Sequence, residues 1–230
     1  INIDVQISAG YLHAGYPTQG PVVAAQELVD LARLHLGGSW GWFHELGHEA
    51  QRRPDKSWGW NNAYTFDGSV EATVNIFTVY AMDMLGLKAQ GGWAWTNTRL
   101  SVMDRALEGL AQGSYADIGV GFKLAMFLQL RDHFQWPALQ DILELYTLDD
   151  QQPENEAAER DTWLQRTSQV LGHDMTRFFR DTWGLEVSDA AVDSIDHLPQ
   201  WMPAIGGIEG HYETQLGTPI DFPLRDSARS

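Results

Sequence analysis

The sequence predicts an α+β chain that is mostly helical, with a small N-terminal sheet edge and a large helical lobe. Three observations carry this. Apolar residues alternate at Ile1, Ile3, Val5 and Ile7, the period of two that marks a strand. From Val22 onward they recur at helical spacing instead, and beyond Gly86 every periodic segment is helical. The 230 residues suffice for one large domain, or a domain and a tail, with a substantial core.

In chain order, Tyr11 to Tyr16 reads as a second strand ended by Pro17. PVVAAQELVDLARLHL then reads as a helix, with Pro21 in its first turn, Val22, Leu28, Leu31 and Leu34 on its apolar face, and Gly37-Gly38 as its stop. Ser39 is a cap for the next helix, which must end by Pro54. After the loop DKSWGWNNAYTFDGS, Ser69 or Asp67 is placed to cap Val70 to Leu85. That segment is apolar on nearly every face and is expected to be buried. Further helices are expected over Thr98–Ala111, Phe122–Phe134, Pro137–Tyr146, Asn155–Leu171 and Asp174–Trp183. Residues 1–205 form the expected domain. Gly, Pro and polar residues dominate 206–230, which read as a tail or linker.

The formal charge of −16 argues against nucleic acid or an anionic membrane surface as the main partner. No run of 18 apolar residues appears, so no membrane insertion is expected. Cysteine is absent, which removes disulfides and thiolate ligands within the chain. The ten tryptophans are many for this length, and Trp58, Trp60, Trp93 and Trp95 fall in segments read as loops. Their flat faces suit stacking on sugars or peptide side chains, and they suit a core equally well.

Trp40 to Gln51, WGWFHELGHEAQ, places His44, Glu45 and His48 in the pattern H-E-x-x-H. On a helix the spacing of four puts both imidazoles on one face, about 6 Å apart along the axis, within reach of one metal ion. Two neutral imidazoles leave a zinc ion positively charged, which lowers the pKa of a bound water to roughly 7. Glu45 is then the general base that takes the proton and passes it to a leaving amine. A metzincin would carry glycine and histidine where this chain has Gln51 and Pro54, so that class is excluded. Glu71, a carboxylate in a segment expected to be buried, is the candidate third ligand, because desolvating it is costly unless it is paired or bound to metal. Asn75, one turn later, is either an ordinary buried amide or an acceptor that fixes the tautomer of a ligand histidine. Zinc follows from the ligand types, although cobalt or manganese fits the same set in vitro.

Several stretches together resemble one family: SAGYLHAGYP before the motif, GSWGWFHELGHEAQ at it, GSVEATVNIFTVYAM after it, and DTWLQRTSQVLGHDMTRFFRDTWGLEVS with LPQW further on. They are similar to the enhancin-like, mucin-directed zinc metallopeptidases, the M-sixty family, whose H-E-x-G-H and more distant Glu are matched by Gly47 and Glu71. The resemblance runs from about Ile7 to Pro203. It implies a gluzincin-type catalytic domain with Zn2+ held by His44, His48 and Glu71, and Glu45 as general base. It also implies a secreted or cell-surface endopeptidase that cuts glycoproteins next to O-glycosylated Ser or Thr, within a larger secreted protein that carries other modules. Gluzincins add substrate to a sheet edge, which would be His13, Gly15 and Tyr16 here; Gly15 reads equally as a turn glycine. They draw the oxyanion donor from the helical lobe, where Tyr115 or His133 is the candidate. Trp58, Trp60, Asn61 and Asn62, between the ligand helices, are candidate glycan contacts at the cleft rim. Such domains usually carry more sheet than Ile1 to Tyr16 supplies, which leaves open whether further strands of the domain lie upstream. Two other readings stand beside this one: a general gluzincin with no glycan requirement, and a glycan- or protein-binding module with a vestigial metal site.

Overall fold

A computed structural model of the chain describes residues 1–5, 10–15, 17–35, 40–51, 64–86, 113–148 and 153–202. Among these, strands β1 (Asn2–Asp4) and β2 (Gln19–Pro21) precede seven helices: α1 (Val22–Val29), α2 (Leu31–His35), α3 (Trp40–Ala50), α4 (Val70–Met84), α5 (Val120–Leu148), α6 (Glu156–Leu171) and α7 (Asp189–Asp193). A 3-10 turn at Tyr115–Asp117 precedes α5, and a π-helix at Arg177–Thr182 lies within the segment expected to be an ordinary helix. The described chain is therefore mostly helical with one small sheet, as the periodicity predicts. The expected helix Thr98–Ala111 and the tail 206–230 lie outside the described residues.

The N-terminal sheet differs in detail from the expectation. β1 and β2 pair in parallel, Asn2 opposite Gln19. Among the described residues 11–15 no strand forms; only His13 makes an isolated antiparallel bridge, to Gln19. Gly15 explains the interruption, because its φ of 151° bends the chain where a side chain would be strained. The expected long helix from Pro21 is two helices. Asp30 is extended, and its carboxylate accepts from the Ala32 N–H at 3.0 Å. A short acidic side chain here competes with the helical hydrogen bond and starts α2 afresh.

This N-terminal unit clamps α3. Trp42 is fully buried and its indole N–H donates to the Ala24 carbonyl at 2.9 Å. A Cβ at Gly20 would lie 2.1 Å from the Trp42 ring, so the ring occupies the space a side chain would need. On its other side α3 packs on α4, which in turn packs on α5. Arg131 of α5 pairs with Asp83 of α4 at 2.5 Å, and the Trp136 indole N–H donates to the same carboxylate at 2.9 Å.

The helical lobe is built around Trp163 of α6, whose ring meets Phe66, Phe127, Tyr146 and Phe179 at centroid distances of 5.3 to 6.2 Å. The two helices expected at Phe122–Phe134 and Pro137–Tyr146 form one bent element. Pro137 removes a helical N–H and crowds the preceding turn, and Gln135 absorbs the bend at φ 68°. Asn155 caps α6 by accepting from the Ala158 N–H.

The lobe also fixes where α4 begins. Arg160 of α6 holds the Asp67 carboxylate at 2.6 Å, and the Lys123 ammonium of α5 donates to the Asp67 backbone carbonyl. Asp67 sits at a φ of 53°, in the turn just before Ser69, the first flanking residue of α4. The Ser69 hydroxyl makes no capping bond, so tertiary contacts, not a side-chain cap, set this helix start.

Candidate metal centre

His44, Glu45 and His48 lie on α3 and Glu71 in the first turn of α4, so the site is assembled by the α3–α4 contact. Gly47 permits that contact. A Cβ at this position would lie 2.9 Å from both the Val74 Cγ2 and the Val74 carbonyl oxygen, closer than side chains tolerate. The two helices thus touch backbone to backbone between the two histidines.

The three expected ligands converge. His44 Nε2 lies 3.1 Å from one Glu71 carboxylate oxygen and His48 Nε2 3.6 Å from the other. The imidazoles meet edge to face, with ring centroids 4.7 Å apart. These residues fit a metal. Tetrahedral zinc with bonds of about 2.0–2.1 Å separates its ligand atoms by about 3.3–3.4 Å, and the two distances bracket that value. Among the described residues these three form the group of histidine and acidic side chains close enough to hold an ion.

The electrostatics agree with a cation-seeking cluster. The His44 and then the His48 imidazole beside it hold the Glu71 carboxyl well below its usual range. Burial pulls His44 downward, but the Glu71 carboxylate and the Asn75 oxygen outweigh it and raise the imidazole above its ordinary value. Glu71 itself is not buried as its helix composition suggested. Its side chain, in the first turn of α4, is 55% exposed. Its candidacy rests on convergence with the two imidazoles and not on the cost of desolvation.

Of the two readings of Asn75, the structure bears on the outer contact directly. Its Oδ1 lies 2.9 Å from His44 Nδ1, while its Nδ2 donates to the Glu71 carbonyl at 2.9 Å. The amide orientation is thereby fixed, and in the neutral His44 ring Nδ1 carries the proton and Nε2 the lone pair. His48 has a matching partner that the sequence reading missed. Gln51, noted there only for excluding a metzincin, places its Oε1 2.8 Å from His48 Nδ1. A glutamine three residues after a ligand histidine, at the end of the same helix, was the available signal.

Glu45 is partly buried on α3 beside His44. Tyr115 has no exposed surface and lies among Phe66, Trp183 and Lys123 in the lobe core. Such burial withholds its phenol from the open side of the cluster, where an oxyanion donor must reach. His133 is exposed on α5, where its Nε2 accepts from the Trp201 indole at 3.2 Å. His13 is exposed at its bridge with Gln19, and Gly15 occupies the adjacent bend. Tyr16, Trp58, Trp60, Asn61 and Asn62 lie outside the described residues.

Comparison with known proteins adds to this geometry. The chain is 33% identical over 202 residues to TRPM8 channel-associated factor 2 from Bos taurus, and 29% identical over 201 residues to its Homo sapiens counterpart. Each match covers 86% of this chain and 21% of the relative, so the chain spans about a fifth of their length. Its fold is similar to the crystal structure of a functionally unknown conserved protein from Bacillus anthracis, with a TM-score of 0.69 and 23% identity over 86% of this chain and 39% of that one. It is also similar to a metallopeptidase in complex with Tn antigen, with a TM-score of 0.63 and 19% identity over 85% of this chain and 40% of the other. The family model of peptidase M60, enhancin and enhancin-like, matches residues 1–184. With its two histidines and downstream glutamate drawn together as the family resemblance implies, the chain belongs to the peptidase M60, enhancin and enhancin-like, family.

Proposed function

We propose that this chain is the catalytic part of a secreted or cell-surface zinc endopeptidase that hydrolyses O-glycosylated proteins. The observation that carries the reading is the convergence of His44, His48 and Glu71 with Glu45 one residue along α3. A structural zinc site takes four protein ligands and has no need of an adjacent carboxylate, whereas a catalytic site takes three and leaves a position open.

When bound, the zinc ion supplies positive charge that acidifies a water molecule and polarises a peptide carbonyl. The chain's own residues do the rest. In the neutral form of each ring the amide oxygen facing Nδ1 places the proton there, so Nε2 is the atom left with a lone pair to donate. The Glu71 carboxylate, anionic across the neutral range, supplies the third ligand and leaves a single positive charge on the centre. The Glu45 carboxylate accepts a proton from water and returns it to the nitrogen of the departing peptide. Glycan selectivity is supported by the family and by the fold shared with a metallopeptidase in complex with Tn antigen.

The test is digestion of a Tn-bearing glycopeptide and its unglycosylated counterpart, with and without a chelator, followed by sequencing of the new N-termini. Chelator-sensitive cuts confined to the glycosylated substrate are expected. Equal cutting of both peptides would leave a peptidase without glycan requirement. The curated relatives named for association with a channel favour a second reading, a protein-binding module. That reading prevails if zinc binds, nothing is cut, and Glu45→Gln changes no measured property.

A further inference from the structure

We infer that Gln51 is a positioning residue of the metal centre, which fixes the tautomer of His48 and ties it to the helix turn that carries Glu71. The inference rests on the zinc-site reading above and adds a part to it. Gln51 directly follows the last residue of α3 and has no exposed surface. Its Nε2 donates to the Val70 carbonyl at 2.9 Å and to the Thr73 hydroxyl oxygen at 2.7 Å. A carbonyl only accepts, so the amide nitrogen must face α4 and Oε1 must face His48. An amide oxygen also only accepts, so the proton on His48 lies at Nδ1 and the lone pair at Nε2, on the side of Glu71. Thr73 accepts this bond while its own proton goes to the Ser69 or Val70 carbonyl, at 3.1 and 3.3 Å.

The bonded atoms make the arrangement more than local packing. Val70 directly precedes Glu71, and Thr73 follows one half-turn later. One buried amide therefore grips the end of the helix bearing His48 and the first turn of the helix bearing Glu71. Its bonds set the separation of two ligands that come from different elements. His44 receives the same treatment from Asn75, whose nitrogen donates to the Glu71 carbonyl. In both cases the group behind the ligand is a neutral amide, not a carboxylate. Neither amide adds negative charge to the centre, so the ion keeps the charge that acidifies water.

The experiment measures zinc affinity by chelator competition and coordination by the visible spectrum of the cobalt-loaded protein, for wild type, Gln51→Met, Thr73→Val and Thr73→Ser. Gln140→Met, on the exposed face of α5, controls for the substitution type. Gln51→Met keeps the side-chain volume and removes the acceptor and both donors. It is expected to weaken zinc binding about 10- to 100-fold and to alter the cobalt spectrum, while Gln140→Met changes neither. Thr73→Val removes one of the two acceptors and is expected to lose less; Thr73→Ser, which keeps the hydroxyl, should match wild type. Gln51→Met affinity within about twofold of wild type, with an unchanged spectrum, overturns the inference and leaves the peptidase reading intact. If Gln51→Met does not fold, the threonine pair decides, and equal affinity of the Val and Ser variants overturns it. A wild-type chain that takes up neither metal removes both readings.

Discussion

Replacing Gly47 by alanine tests the assembly of the site at its tightest point. The added methyl would sit 2.9 Å from Val74 Cγ2, 2.9 Å from the Val74 carbonyl oxygen and 3.3 Å from Phe77 Cβ. Carbon contacts rest at about 3.5–4.0 Å, so α3 must retreat from α4 by about 0.6 Å or more. Little else can yield. Val74 is fully buried and β-branched, with essentially one helical rotamer, and its carbonyl belongs to the helix backbone. His44 and His48 flank Gly47 on α3, and Glu71 lies one turn before Val74 on α4, so the retreat is passed on to the ligand separations. Metal sites hold their bond lengths to about 0.2 Å, and a shift of about 0.6 Å exceeds that. Overpacking of this kind costs about 1–3 kcal/mol of stability, and zinc affinity should fall about tenfold or more. Urea unfolding of the metal-free chain and chelator competition check the two effects separately. Adding Val74→Ala should restore only part of each, because the carbonyl contact remains. A Gly47→Ala chain with wild-type stability and zinc affinity would show that the α3–α4 distance does not govern the site.

Two other consequences are open to measurement. Arg160→Leu strips the Asp67 carboxylate, whose side chain is only 5% exposed, of its partner; a loss of about 3 kcal/mol in urea unfolding is expected, largely recovered by adding Asp67→Asn, whereas a loss under about 1 kcal/mol would make the pair a surface bridge. Without metal, Glu71 titrates below its usual 4.5 and His44 above its usual 6.5. The lowered carboxyl contributes stability above 4.5 that is lost as pH falls through its folded value; the raised imidazole contributes stability below 6.5 that is lost as pH rises through its folded value. Metal requires both imidazoles deprotonated, so the rise in Tm on adding zinc should grow between about pH 5.5 and about pH 8, and a flat or shrinking rise would count against His44 as a ligand.

The metal ligands were legible because their signal is local or compositional. His44 and His48 are fixed by a spacing of four on one helix, and Glu71 stood out as a carboxylate among apolar residues, although the reason given for it, burial, is not what the structure shows. Gly47 was legible as a motif position but not as a contact, since its need for no side chain arises from Val74, which lies 27 residues later. Gln51 was hidden for the same reason: its meaning depends on Val70 and Thr73 across the helix interface. Helix breaks followed a similar rule. Pro137 announced the bend in α5, but whether two segments join as one bent helix or separate depends on Gln135 accepting a positive φ, which no periodicity encodes. The sheet edge was misjudged because alternation at Ile1 to Ile7 carries no information about the partner strand, which turned out to be Gln19–Pro21.

The cluster has a closed side and an open side, and this polarity ties the fold to the chemistry. Exposure rises from 7% for the His48 side chain to 19% for His44 and 55% for Glu71. The closed side is the α3–α4 seam, where Gln51 and Asn75 turn both Nδ1 atoms inward onto amide oxygens and Gly47 brings the backbones together. Every bond there serves to present Nε2 outward. The open side carries the carboxylate end of the cluster, reached without crossing the core. The three ligand groups are thus backed by protein at the seam and meet solvent at Glu71. A site meant only to hold a fold together gains nothing from that asymmetry, because exposure lets water and chelators compete for the ion. The lobe's effort in fixing the first turn of α4, through Arg160 and Lys123 on the Asp67 turn, makes sense on the same ground: an exposed ligand has no core packing of its own to hold it, so its helix start must be held instead.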